Sequence, residues 1–256
     1  MNFFFGINNN EIKCKITVPK FQNHTKTSKT YKLFRFGPNK NENWDIGNLN
    51  CDQDEYFYYI ENQNIDQNSF FLLATNPEIE NFIDDSAKRL ININNFTDTV
   101  PAFRSNMRIY NSVGGFSSYQ SEYPFSMSTK NGSILSPMSP LLNRDADYNK
   151  VFITNIFHQP LKERFKIYFV DIVEKKILDE KEIYSNSVNE IDIENHLIDK
   201  SIYLFTKNYL GVPVFISSKN NHLSCEHTHP PHEYIISSDR FLTISKLKEQ
   251  VNEFVS

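Results

Sequence analysis

The chain has 256 residues, 39% of them hydrophobic and 14% aromatic, enough to fill one large domain or two modest ones and too much for global disorder. Its formal net charge is −4 and its densest cationic clusters, Lys26 to Lys32 and Lys246 to Lys248, are interrupted, so the expectation is no nucleic-acid partner and no strong attraction to anionic membranes. No apolar run approaches the ~18 residues of a membrane span, the N-terminus lacks the pattern of a signal peptide, and Cys14, Cys51 and Cys225 are too scattered for a disulfide framework; together these predict a cytoplasmic protein with reduced thiols.

In chain order, "FFFGI", "IKCKITVP" and "YKLFRF" are short strand-like runs separated by Asn, Lys and Pro clusters. "GPNKNENWDIGNLNCDQDE" reads as a polar loop around Trp44, and "YFYYIE" and "SFFLLAT" as two strands joined by a polar turn. A helix is predicted over 76–90, with Asn76 as the cap, Pro77 in the first turn, and Ile79, Phe82, Ile83, Ala87 and Leu90 on one face. "NINNFTDTVP" is the best candidate linker. It suggests a β-rich region with one helix over 1–98 and a sandwich-like domain over 101–256, the alternative being a single domain.

Beyond it, Gly114-Gly115 can turn a hairpin, whereas the Ser-Pro breaks of "NGSILSPMSPLLNRDADYN" predict a loop. From 151 six strand-sized segments follow at short intervals: "VFITNIF", "RFKIYFVDIV", "KKILDEKEIY", "NEIDIE", "SIYLFT" and "VPVFIS". The breaks between them are too short for crossover helices, so the pairing should be antiparallel. The chain ends in "SDRFLTISKLKEQVNEFVS", where Phe241, Ile244, Leu247 or Lys248, Val251 and Phe254 keep helical spacing. The fold class expected is mainly β: an antiparallel β-sandwich or distorted barrel, with a helix near 76–90 and a C-terminal amphipathic helix. That last helix would cover a sheet face; the alternative is docking against a neighbouring copy in a homo-oligomer.

The densest chemistry lies in "HLSCEHTHPPHEY", residues 222–234, which holds four of the seven histidines. If 222–229 is a strand, Leu223, Cys225, His227 and His229 share a face. Two imidazoles two residues apart on a strand can converge on one divalent ion such as Zn, Fe, Ni or Mn, and a carboxylate suits a third position. Pro230-Pro231 would stop regular pairing and let Glu233 turn back as that third ligand. His232 would then handle protons and His222 would contact substrate. The string His227-x-His229-x-x-x-Glu233 resembles the first metal-binding motif of cupins. The resemblance covers those seven residues. Where cupins usually carry flanking glycines this chain has Asn221 and Arg240, and any fourth ligand must come from earlier, His158 and His196 being the candidates. The plain alternatives are a metal-free polar pocket and a solvated loop of exposed histidines.

A second cluster is "YNSVGGFSSYQSEYPFS", in which Tyr119 and Tyr123 are candidate substrate contacts and Glu122 a candidate base; the alternative is an ordinary half-buried hairpin. Asp145, Asp147 and Asn149 begin like a calcium loop, but Lys150 stands where glycine is needed and Ile156 where glutamate is. No phosphate-cradling glycine motif or nucleophile elbow is present, which argues against a nucleotide-dependent kinase, ATPase or Rossmann dehydrogenase. The leading expectation is a metal-dependent β-fold protein acting on a small polar metabolite such as a sugar derivative. Two others stand beside it: a non-catalytic glycan- or protein-binding module, and a structural or assembly subunit.

Overall fold

A computed structural model of the chain describes residues 2–20, 31–67, 69–84, 105–123, 132–157, 159–227 and 238–255. The fold is mostly β, with four antiparallel sheets, two α-helices and no closed barrel. The sheets fall into two compact units. The first takes Met1–Lys130, Ile156–Lys162 and Asn186–Val188; the second takes Asn131–Asn155, Glu163–Ser185 and Asn189–Ser256. The first unit reaches to Lys130 because the segments after the candidate linker add to sheets begun at the N-terminus. No helix among the described residues is long and apolar enough to cross a membrane.

In the first unit one five-stranded sheet holds β1 (Asn2–Phe4), β3 (Lys32–Pro38), β4 (Trp44–Asn48), β7 (Phe70–Ala74) and β10 (Glu122–Tyr123), in the order β10-β1-β7-β3-β4. The other holds β2 (Lys13–Pro19), β5 (Asp52–Gln53), β6 (Phe57–Ile60), β8 (Asn106–Tyr110) and β9 (Phe116–Tyr119), in the order β5-β6-β2-β8-β9. Alternation along β2 buries Cys14, Ile16 and Val18, and their register partners Ile60, Met107 and Ile109 are buried with them. The all-apolar β7 is buried at every position, as a central strand with both faces covered should be. Two strands, β4 and β5, occupy the stretch read from sequence as a loop around Trp44. Trp44 itself closes a ring cluster, its centroid 5.4 Å from that of Phe36.

Helix α1 (Asn76–Asp84) is present as expected, and residues 85–90 of the predicted helix lie outside the described residues. Its cap is Thr75 rather than Asn76. The Ile79 amide donates to the Thr75 carbonyl, closing the first helical turn, and the Thr75 amide donates to Glu78 Oε2, half of a T-x-x-E capping box. The β8–β9 hairpin forms around Gly114, whose φ of 102° only glycine adopts at little cost. Asn111 Oδ1 accepts the Val113 and Gly115 amides inside that turn.

The second unit is a sandwich of two four-stranded sheets. One contains β11 (Leu135–Pro137), β13 (Arg164–Asp171), β14 (Lys176–Tyr184) and β16 (Ile202–Thr206), in the order β11-β16-β13-β14. The other contains β12 (Tyr148–Asn155), β15 (Ser187–Asp192), β17 (Val212–Lys219) and β18 (His222–His227), in the order β15-β12-β17-β18. The six predicted strands after 151 are β12 to β17, and β11 falls in the Ser-Pro stretch expected to be loop. Ile167, Phe169, Ile183 and Leu204 from one sheet meet Val151, Ile153, Ile191 and Phe215 from the other in a single buried cluster. The alternate residues of the first sheet, Tyr168, Val170, Tyr203 and Phe205, face the opposite way. There helix α2 (Ser238–Val255) lies over them through Val251, Phe254 and Val255. The C-terminal helix thus covers a sheet face with the residues its helical spacing nominates.

Candidate functional site

The histidine segment enters the structure as one arm of a tight hairpin. Lys219 pairs with His222, which leaves Asn220-Asn221 as a two-residue turn with φ of 50° and 66°. That is the type I′ geometry, matched to the twist of the strands it joins, and Asn tolerates it better than other side chains with a Cβ. The Asn220 amide donates to Asp147 Oδ2 at 2.7 Å, and the Asp147 amide donates to the Ser218 carbonyl. Asp147 therefore anchors a turn, where the sequence offered it as the middle of a calcium-like run. Asn149, from the same run, is buried and accepts the Ser217 hydroxyl at 2.6 Å.

The outgoing arm, β18, is an edge strand whose burial alternates at every residue. Leu223, Cys225 and His227 are half-buried on one face; His222, Ser224 and Glu226 are exposed on the other. Cross-strand register identifies the first face. Val214 and Ile216 stand opposite His227 and Cys225, and Phe152 and Lys150 stand opposite those in turn. All four are buried. This face is the one turned away from the sandwich core, because Phe215 and Val151, one residue out of phase, line that core.

Burial sets the chemistry there. Desolvation pushes the His227 imidazole below its usual pKa, partly offset by the neighbouring Glu226 carboxylate, which favours the neutral ring. The same desolvation, aided by Glu226, pushes the Cys225 thiol up to about 12, which keeps it protonated and a poor nucleophile. His222, at the turn, is exposed.

One group on this face was not singled out from sequence. The Lys150 ammonium is buried and donates to Glu190 Oε1 at 3.0 Å and Asp192 Oδ1 at 2.6 Å. Burial alone would lower its pKa, but the two carboxylates more than offset that and raise it. The available signal was a lysine inside the apolar run of β12 together with carboxylates two apart in β15, but only the pairing of those strands brings them together.

The remaining candidates are placed as follows. His229, His232 and Glu233, and with them two of the three proposed metal ligands, lie outside the described residues, as does His158. His196 sits in a 3-10 turn (Asn195–Leu197), exposed, its Nδ1 3.2 Å from Glu194 Oε2. Among the described residues, no three His, Cys, Asp or Glu side chains converge as a metal cluster. Tyr119, Glu122 and Tyr123 belong to the first unit, His222 and His227 to the second. Tyr119 is 8% exposed and its ring lies 6.4 Å from that of Phe5; Tyr123 is fully buried opposite Phe3. Glu122 pairs through its backbone with Phe4, and its side chain is not among those described. No protein-family model, curated protein or solved structure matches the chain.

Proposed function

We propose that the second unit binds a divalent metal at the end of β18, through His227, His229 and Glu233, and that the protein uses it on a small polar metabolite such as a sugar derivative. The observation that carries this reading is the position of His227. It is the last residue of an edge strand, half-buried beside Val214 and Phe152 on a face that also holds the carboxylate-paired Lys150, with the rest of the histidine run following directly in the chain. An imidazole so placed is partly stripped of water, which favours the neutral form that ligates a metal. A bound Zn, Fe, Ni or Mn ion would polarise a substrate oxygen or activate a water, with His232 the candidate proton carrier.

Metal analysis of protein purified without a histidine tag tests the reading. About one equivalent of Zn, Fe, Ni or Mn is expected, and it should be lost in a His227→Ala/His229→Ala variant that keeps its circular dichroism. Metal-free protein that gains no thermal stability from any of the four ions would overturn the proposal.

A further inference from the structure

Among the described residues, the β5-β6-β2-β8-β9 sheet buries one face and leaves the other open, and the open face has an unusual composition. Four of the chain's large exposed hydrophobic side chains belong to its strands and turns: Tyr56 and Phe57 at the start of β6, and Val113 and Phe116 at the β8–β9 turn. Phe57 and Phe116 are 37% and 60% exposed. Between them runs a continuous diagonal of contacts. The Phe57 and Tyr59 rings are 6.3 Å apart, Lys15 Nζ lies 4.6 Å from the Tyr59 centroid, Lys15 stands directly opposite Arg108, and the Arg108 guanidinium lies 4.4 Å from the Phe116 centroid. The stripe reads ring, ring, cation, cation, ring.

Each cation sits over a ring, a modest gain, but two features of this stripe are unfavourable for the folded chain alone. Like charges directly opposite each other across two strands repel. Lys15 is relieved by Glu61, Nζ to Oε1 2.9 Å, but among the described residues Arg108 has no carboxylate partner. Rings left open to water on a sheet face also forgo the burial that would stabilise them. Both features are accounted for by a ligand that brings an anion to Arg108 and flat apolar faces to the rings on either side.

We infer that this sheet face docks an acidic glycan, an oligosaccharide carrying a sparse set of carboxylates. Sugar rings present C–H faces that stack on Phe57, Tyr59 and Phe116, and a uronate carboxylate matches the guanidinium fork of Arg108. The carboxylates around the stripe decide between glycan and nucleic acid. Asp52 stands opposite Tyr59, Asp54 Oδ2 accepts the Tyr59 hydroxyl at 2.6 Å, and Glu61 holds Lys15. These groups accept hydroxyls, which sugars supply at every residue. They would repel a strand carrying a phosphate at every residue, and binding to such a strand rises with the number of phosphates that protein cations neutralise.

Calorimetric titration of the full chain tests this with glucose and xylose hexamers each carrying one uronate, the neutral glucose hexamer, and oligo(dT) and oligo(U) hexamers. At least one uronate hexamer should bind with a Kd below about 1 mM, at least about fivefold tighter than the neutral one. Arg108→Glu and Phe116→Ser should each weaken it by roughly tenfold or more, while Ile177→Ser, an exposed change in the other unit, leaves it unchanged. If Arg108→Glu does not fold, Arg108→Gln takes its place. No uronate binding, affinity unchanged in the Arg108 and Phe116 variants, equal affinity for the neutral hexamer, or tighter binding of either oligonucleotide would each overturn the inference.

Discussion

Lys248 shows how one residue can report on packing. It occupies an inward position of α2, one turn before Val251, and its ammonium donates to the Ser133 carbonyl. Desolvation pushes its pKa down to about 8, and no carboxylate among the described residues offsets that. The consequence for stability has a definite sign. The unfolded chain keeps a lysine near 10.4, so between pH 8 and that value the unfolded state binds more protons than the folded one, and stability rises with pH across the window. Below pH 8 the folded protein carries a partly buried charge at a cost. Lys248→Met keeps the stem and removes the charge, so it should raise the melting temperature at pH 7 by roughly 2–4 °C, on the order of 1 kcal/mol. The gap between variant and wild type should close as pH rises from 8 to 10. A melting-temperature series against pH checks this, and a constant gap would show that the effect is not the charge.

At the scale of elements, α2 and β18 were the most legible parts of the sequence, because in both a period assigns faces by itself. Helical spacing named Ile244, Val251 and Phe254, and Val251 and Phe254 lie against the outer sheet face. Strand alternation placed Leu223, Cys225 and His227 together, and they share a half-buried face. Three strands were missed for a common reason. β4, β5 and β11 are short and rich in Asn, Asp, Gly and Ser-Pro, so local propensity argues for loop, and only pairing with β3, β6 and β16 holds them extended. Lys150 was missed in the same way, since its carboxylate partners lie about forty residues away in β15. The dependence of the second sandwich on α2 follows from this packing. Val251 is 1% exposed against Val170 and Phe205, so Val251→Asp would bury an unpaired carboxylate. A loss of at least ~2 kcal/mol is expected, measured by chemical denaturation, with the exposed Glu249→Gln within about 0.5 kcal/mol of wild type.

At the scale of the whole molecule, the three cysteines sample both units without disturbing either. Cys14 sits in β2 with no exposed surface, and its Sγ accepts the Ile7 amide at 3.3 Å. Burial pushes its thiol up to about 12, against that weak hydrogen bond. Cys225 is held at a similar value on β18, and Cys51, half-buried just before β5, is raised mainly by its own burial. Alkylation requires the thiolate and access, so each cysteine reacts at a rate set by how often its surroundings open. Cys14 requires the first unit's core to be breached, Cys225 requires only that an edge strand lift, and Cys51 requires little more than loop motion. Iodoacetamide labelling at pH 8, read peptide by peptide by mass spectrometry, should therefore modify Cys51 first, Cys225 next and Cys14 last, whereas in concentrated guanidinium chloride all three react together. Cys14 labelling at the rate of Cys51 in native buffer would contradict its place in the core. Protection of Cys225 on adding a divalent ion would, in contrast, tie its strand to the proposed metal, because closing the segment after His227 around an ion restrains the edge on which Cys225 sits.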